Sequence, residues 1–84
     1  MHRYLIILPH TMEDCMRAIK QIEAIGMITY FDWGCKDDDH TGYVVLEADS
    51  KPEALMVVPS SLRAKARAIK LIKFSPEDVQ AMHT

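Results

Sequence analysis

Four stretches of the chain carry the residue pattern of β-strands. Residues 3–8 are an apolar run closed by Pro9, too short for a helix and apolar on both faces. This pattern predicts a central strand that is covered on both sides. Residues 27–35 and 41–48 alternate between two faces with the period of two that is typical of strands. Residues 67–74 predict a fourth strand.

Between these strands lie two segments with helical signals. Thr11 is a residue type that caps a helix start, and Gly26 supplies the left-handed stop at the other end. Apolar residues recur between them at three- and four-residue steps, as on one face of a helix. Ser50 and Glu53 have the spacing of a capping box ahead of a second, short helix, which Pro59 interrupts.

The order of elements predicts an α+β fold. Residues 60–66 add a helical turn, and Ser75 begins a short C-terminal helix that ends near His83. The remaining order, βαββαβ, is that of the ferredoxin-like fold in a single domain over residues 1–84. Right-handed crossovers place the third strand between the first and second, and the first between the third and fourth. We therefore expect a four-stranded antiparallel sheet with two helices on one face.

The second and third strands are predicted to form a hairpin that turns at residues 36–40. In this register Trp33 faces Tyr43 and Phe31 faces Val45, all on the sheet face that the helices do not cover. Such a patch is larger than a soluble monomer usually exposes. We therefore expect a homodimer in which two copies cover this face, sheet against sheet.

The composition of the chain disfavours nucleic-acid binding and a membrane-spanning role. The chain has 84 residues, 49% of them apolar and 26% charged, with a formal net charge of -2. This charge disfavours nucleic-acid binding, and no apolar run reaches the roughly 20 residues that span a bilayer. Two cysteines in a chain that opens directly on a strand pattern predict free thiols in a reducing, cytoplasmic setting.

Candidate metal ligands gather at one end of the predicted sheet. His10, Cys15, Cys35 and His40 come from four separate places in the chain, and the first and second strands are only about 10 Å apart. Thiolates and imidazoles together favour a soft or borderline ion such as zinc, copper(I) or nickel. The alternative is structural, with Cys15 as a small core residue and the histidines in turns. His83 could join only through the C-terminal helix or a second subunit.

Two other functions are compatible with the same residues. A cofactor-independent enzyme could use Asp32, His40 or Tyr30 as catalytic groups, with a pocket lined by Tyr30, Leu46 and Ile28 and with Asp32 at its mouth. A structural or partner-binding module is favoured if the four candidate ligands lie more than about 6 Å apart, because direct ligation needs each within roughly 2–2.3 Å of one ion.

Several short motifs resemble a family of small prokaryotic proteins of unknown function. They are Pro9-His10-Thr11, Asp14-Cys15, Trp33-Gly34-Cys35, Asp39-His40-Thr41-Gly42-Tyr43, Glu47-Ala48, Val58-Pro59 and Lys73-Phe74-Ser75-Pro76-Glu77. In architecture the chain also resembles the dimeric α/β-barrel superfamily of ferredoxin-like domains. That resemblance implies two facing sheets in a homodimer, and activities that range from monooxygenases and lactone isomerases acting on small aromatic or lactone substrates to nickel binding. No catalytic motif of the superfamily transfers to a numbered residue here.

Overall fold

A computed structural model describes residues 1–82, so the predicted role of His83 lies outside the described residues. The strands are β1 (His2–Pro9), β2 (Asp32–Trp33), β3 (Thr41–Ala48) and β4 (Arg67–Leu71). The α-helices are α1 (Cys15–Ala24), α2 (Lys51–Leu55), α3 (Ser60–Arg63) and α4 (Pro76–Met82). Two short 3₁₀ helices flank β2, at Ile28–Tyr30 and Cys35–Asp37.

The four strands form one antiparallel sheet in the order β2-β3-β1-β4. The third strand thus lies between the first and second, and the first between the third and fourth, as predicted. The prediction of an α+β fold with a four-stranded antiparallel sheet is confirmed. Strand β1 pairs on both sides, so its backbone hydrogen-bonding groups are satisfied in the middle of the sheet.

One face of the sheet is buried beneath helices. From β1, Tyr4, Ile6 and Leu8 are at most 4% exposed. Burying side chains of this size contributes about 1.5–3 kcal/mol each, which makes this face the main source of stability. The buried core consists of Tyr4, Ile6, Leu8, Ala18, Ile22, Phe31, Val44, Ala48, Ala54, Val58 and Leu62.

The helix ends follow the predicted signals in part. The Ser50 hydroxyl accepts a hydrogen bond from the Glu53 backbone N–H at 3.2 Å, while the Glu53 carboxylate accepts one from Asp49 N–H at 3.0 Å. Gly26 has a φ of 79°, the left-handed conformation that ends a helix without steric cost. Helix α1 begins at Cys15 rather than at Thr11, because Thr11 caps a separate turn through the Asp14 N–H.

The predicted second strand over residues 27–35 is confirmed only at Asp32 and Trp33. Residues Ile28–Tyr30 form a 3₁₀ turn, which leaves only Asp32 and Trp33 paired with β3. The register also differs by one residue from the prediction, since Trp33 lies opposite Gly42 instead of Tyr43. Because side chains alternate along a strand, a shift of one residue moves each of them to the other face.

This shift places Phe31 and Trp33 on the helix-covered side of the sheet, which corrects their predicted place on the dimer face. Phe31 is 5% exposed, and its ring stacks on that of Trp33 with centroids 5.6 Å apart. Trp33 lies directly over Gly42, where a Cβ atom would be 2.8 Å from the indole ring. The glycine therefore makes room for the indole.

The opposite face of the sheet is apolar and open in the single chain. Val45 and Ile69 flank Leu5 in the central row and are 53% and 37% exposed. Charged residues stand at the ends of its three strands: Arg3 on β1, Glu47 on β3 and Arg67 on β4. We call this surface the open face; its apolar residues are Leu5, Ile7, Tyr43, Val45, Ile69 and Leu71.

Residues 72–82, which follow β4, are mostly exposed. Strand β4 ends at Leu71 rather than at the predicted residue 74. Ser75 caps α4 by a reciprocal pair of hydrogen bonds with Asp78, and these bonds lower the pKa of the Asp78 carboxyl. No residue of α4 is buried. Within residues 1–82, no helix combines the length and apolarity needed to traverse a bilayer.

Candidate metal centre

The structure brings His10, Cys15, Cys35 and His40 to one edge of the sheet. His10 follows β1, Cys15 is the first residue of α1, Cys35 begins the 3₁₀ turn after β2, and His40 precedes β3. Strands β1 and β2 both run antiparallel to β3, so the two strands end at the same edge. A backbone hydrogen bond of 2.9 Å from His10 N–H to the His40 carbonyl joins two of these segments.

One potential ligand atom from each residue lies within 4.8 Å of all the others. The thiol sulfurs of Cys15 and Cys35 are 3.0 Å apart, and both cysteines are free. The Cys35 sulfur is 3.5 Å from Nε2 of His10. We call these four residues the Cys2His2 cluster.

The dimensions of the cluster fit a single tetrahedral ion. Atoms bonded to zinc at about 2.0–2.3 Å lie roughly 3.3–3.8 Å from one another. The observed separations, from 3.0 Å between the sulfurs up to 4.8 Å, bracket that interval. The separations are also below the limit of about 6 Å beyond which a purely structural reading would be favoured.

Each histidine has one ring nitrogen with no hydrogen-bond partner outside the cluster among the described residues. For His10, Nδ1 is 3.4 Å from the Leu8 carbonyl oxygen, while Nε2 faces the Cys35 sulfur. For His40, Nε2 is 3.7 Å from a carboxylate oxygen of Asp38. Its Nδ1 is buried without a hydrogen-bond partner among the described residues. Histidines that bind metals commonly donate the second N–H to a carbonyl or carboxylate. The Leu8 carbonyl is close enough to His10 for such a bond, whereas the Asp38 carboxylate, 3.7 Å from His40, is an electrostatic neighbour.

The loop that carries Cys35 and His40 is held by its own backbone. The Gly34 N–H donates to the Thr41 carbonyl at 3.1 Å, and the Asp39 N–H donates to the Gly34 carbonyl at 3.0 Å. A Cβ on Gly34 would be 2.8 Å from the Asp39 carbonyl oxygen, so the tight crossing requires glycine. Asp38 adopts the left-handed conformation, with a φ of 63°, and reverses the chain toward His40.

Asp39 fixes the end of this loop to β3. Its carboxylate accepts hydrogen bonds from the hydroxyls of Thr41 and Tyr43. The hydrogen bond from Tyr43, followed by that from Thr41, lowers the pKa of Asp39. The bond between Tyr43 and Asp39 also raises the pKa of Tyr43. Asp39 therefore remains a carboxylate beside the Cys2His2 cluster, where negative charge favours a bound cation.

Electrostatics around the thiols favour protonation when no cation is present. Desolvation, followed by the hydrogen bond and the charge of Cys15, raises the pKa of Cys35 to about 11. A second thiolate 3.0 Å from the first is therefore costly unless a cation neutralises the pair. Metal binding at such a site would displace protons from the thiols.

Two depressions border the cluster. A shallow groove of about 420 Å³ reaches Cys35 and is lined by Ile19, Phe31, Asp32, Trp33, Cys35 and Lys36. A smaller cleft of about 90 Å³ lies at His10 and is lined by Pro9, His10, Asp14, Arg17, Ser61, Leu62, Ala64 and Lys65. The single tryptophan is close enough to report on the site, since the rings of His10 and Trp33 have centroids 5.9 Å apart.

The candidate catalytic residues are not brought together as a group. His40 belongs to the Cys2His2 cluster, whereas Asp32 and Tyr30 do not. Tyr30 is 66% exposed, and neither depression is lined by it, Leu46 or Ile28. Leu46 and Ile28 instead pack against the core. Neither depression is thus the pocket predicted between sheet and helices, although Asp32 does line the groove at Cys35.

Sequence reasoning did not connect Asp38 with His40. It lies in an acidic run with the composition of a solvated loop tip. Its contact with His40 depends on the left-handed backbone conformation of Asp38. Its carboxylate is 3.7 Å from Nε2 of His40, and its side chain is 99% exposed. A charge placed two residues before a histidine was the signal in the sequence, but many solvated loops share it.

Replacing Asp38 with asparagine tests this contact. Asparagine tolerates the left-handed conformation but removes the charge that faces His40. We expect zinc affinity to fall by up to about 10-fold, the lower end of the range for residues that support a metal ligand, because Asp38 is exposed. Competition with a chromogenic chelator measures the change. Asp37→Asn is the matched control and should leave affinity unchanged; equal affinities in the two variants would exclude a role for Asp38.

Comparison with protein-family models, with curated proteins and with solved structures finds no significant match for this chain. The function is therefore inferred from the geometry of the site.

Proposed function

We propose that this protein binds one zinc ion through His10, Cys15, Cys35 and His40. The observation that carries the proposal is the convergence of two thiols and two imidazoles, from four separate segments, to within 4.8 Å. A ligand set of two cysteines and two histidines is typical of tetrahedral zinc. The buried, unpartnered Nδ1 of His40 supports the same reading. Copper(I) and nickel are the competing ions, and metal competition distinguishes them.

Four protein ligands fill a tetrahedral zinc ion. Catalytic zinc sites usually keep one position for water or substrate, so this set favours a binding or stabilising role over hydrolysis. The alternative of a cofactor-independent enzyme has less support, because Asp32 and Tyr30 lie outside the cluster and Tyr30 is 66% exposed. Free thiols at a zinc site fit a reducing, cytoplasmic setting.

Metal content of the reduced protein, measured after equilibration with zinc and removal of free ions, tests the proposal. We expect one zinc per chain. His10→Ala and His40→Ala should each lose zinc during gel filtration, whereas His2→Ala should retain it, since His2 is exposed and outside the cluster. Wild-type protein that retains no zinc, copper(I) or nickel would refute the proposal.

We further propose that the domain is ferredoxin-like and that two copies pair through the open face. The strand order β2-β3-β1-β4 and the helices on one face support the first part. For the second part, apolar side chains such as Val45, 53% exposed, would be hidden by a second sheet. The pairing partner is a second copy of this chain, because the charges on this face complement each other.

Charge placement on the open face is self-complementary. Glu47 on β3 lies in the row of Arg3, and Arg67 on β4 lies in the row of Ile7. Because β3 and β4 flank β1, Glu47 and Arg67 occupy opposite corners of the open face. A two-fold axis along the other diagonal brings each Glu47 opposite Arg67 of the partner subunit. Such a contact is isologous, as in most homodimers.

Exchanging the two corner charges tests this arrangement. Glu47→Arg and Arg67→Glu should each weaken the dimer by about 5- to 10-fold, because each places like charges opposite one another. The double variant should recover most of the wild-type dissociation constant, measured by sedimentation equilibrium. Lys51→Glu, on α2, is a control for net charge. A wild-type protein that is monomeric at micromolar concentration would contradict the dimer and leave the zinc proposal untouched.

A further inference from the structure

The distance between the two cysteine sulfurs is intermediate between the distances found in two bonded states. They are 3.0 Å apart as free thiols. A disulfide requires about 2.05 Å, and two thiolates on one tetrahedral zinc ion lie about 3.8 Å apart. Each state differs from the observed pair by less than about 1 Å. Cys15 begins α1 and Cys35 begins the 3₁₀ turn after β2, so the two sulfurs come from separate segments that already place them in contact.

We infer that Cys15 and Cys35 form a reversible disulfide when a peroxide oxidises them, and that this disulfide and the metal exclude each other. The inference rests on the proposed zinc site and adds regulation to it. A disulfide removes two of the four ligands, since neither sulfur can then bind as a thiolate. His10 and His40 alone hold zinc far more weakly, so oxidation releases the ion.

The chemistry balances with hydrogen peroxide as the oxidant. One thiol first loses its proton. The resulting thiolate attacks a peroxide oxygen and the O–O bond breaks, which gives a sulfenic acid and hydroxide; the hydroxide takes up that proton to become water. The second cysteine sulfur attacks the sulfenic sulfur, its proton is lost, the S–O bond breaks, and a second water leaves. Two thiols and one peroxide thus become one disulfide and two waters. A dithiol reductant reverses the change by exchange.

Access to the thiols is open to a small oxidant. Both cysteines are partly exposed, and Cys35 lines the groove of about 420 Å³. The second sulfur is 3.0 Å away, so a sulfenic acid formed on either residue meets its resolving thiol at once. This proximity favours the disulfide over further oxidation to sulfinic acid.

Peroxide treatment of metal-free and zinc-loaded protein, side by side, tests the inference. In the metal-free protein we expect a cross-linked peptide pair containing Cys15 and Cys35 by mass spectrometry, and zinc uptake that falls at least about 10-fold until dithiothreitol is added. In the zinc-loaded protein, disulfide formation and zinc release, followed with a chromogenic chelator, should rise together. Cys15→Ser is the control: it cannot form the pair, and peroxide should leave a sulfenic or sulfinic acid on Cys35.

The outcomes separate this inference from the proposed function. Protein that binds zinc when reduced but forms no disulfide with peroxide overturns the inference and leaves the zinc site standing. Oxidised protein that carries the disulfide and still binds zinc with unchanged affinity overturns the mutual exclusion. Reduced protein that binds no metal refutes the proposed function, and with it the regulatory role of the disulfide.

Discussion

Replacing Cys35 with alanine is expected to weaken zinc binding by roughly 100-fold or more. Structural zinc sites with four ligands bind with about 10–16 kcal/mol at neutral pH, so one ligand accounts for about 3 kcal/mol. Cys35 is central to the cluster, since its sulfur lies 3.0 Å from that of Cys15 and 3.5 Å from Nε2 of His10. Competition with a chelator of known affinity gives the dissociation constant for each protein.

Lys36→Ala is the matched control for this experiment. Lys36 adjoins Cys35 and lines the same groove, but it is exposed and is not a member of the Cys2His2 cluster. Its replacement should change zinc affinity by less than about 2-fold, in line with screening of an exposed charge. Far-ultraviolet circular dichroism checks that both variants fold. Equal zinc affinities for Cys35→Ala and Lys36→Ala would exclude Cys35 as a ligand.

Zinc is expected to raise the free energy of unfolding by about 4 kcal/mol when its free concentration is a thousand times the dissociation constant. The ion would join the end of β1, the start of α1 and the loop before β3, none of which is linked to the others by a disulfide. A chain of 84 residues buries a limited core, so this contribution is a large part of its stability. The melting temperature should rise by about 15–30 °C.

Thermal denaturation with and without zinc, in buffer cleared of other metals, measures this effect. The double variant Cys15→Ala with Cys35→Ala provides the reference, because it keeps both histidines and lacks both thiols. Its melting temperature should hardly respond to zinc. A wild-type melting temperature that does not change with zinc would show that the ion does not bind the folded state preferentially.

The position of the site could be predicted from the sequence because it depends on topology. The order of elements sets which strand ends share an edge, and it places His10, Cys15, Cys35 and His40 there regardless of exact register. The core face of β1 could also be predicted, because the apolar side chains of this strand must be buried. Features of this kind are predicted correctly even when the strand boundaries are wrong by a residue or two.

The face on which Trp33 lies could not be predicted, because it depends on register. The alternating pattern of residues 27–35 is that of a strand, yet Ile28–Tyr30 forms a 3₁₀ turn and only two residues pair with β3. Trp33 then lies over Gly42 instead of facing Tyr43. The contact needs a glycine directly opposite the indole. The strand propensity of residues 27–35 does not indicate which residue of β3 will lie opposite Trp33.

Details of the ligand set also required coordinates. The acidic run around Asp38 has the composition of a solvated loop, and its left-handed backbone at a φ of 63° turns one carboxylate toward His40. Which histidine nitrogen is free depends on the Leu8 carbonyl and on burial of Nδ1 in His40. These contacts depend on distances of a few ångströms between separate segments, and the spacing of residues in the sequence does not determine such distances.

X-ray absorption at the zinc edge, on protein equilibrated with zinc and freed of excess metal, tests the Cys2His2 zinc site itself. We expect one zinc per chain with two sulfur atoms at about 2.3 Å and two nitrogen atoms at about 2.0–2.1 Å. A zinc ion surrounded only by oxygen and nitrogen, or a protein that retains no zinc, would contradict it.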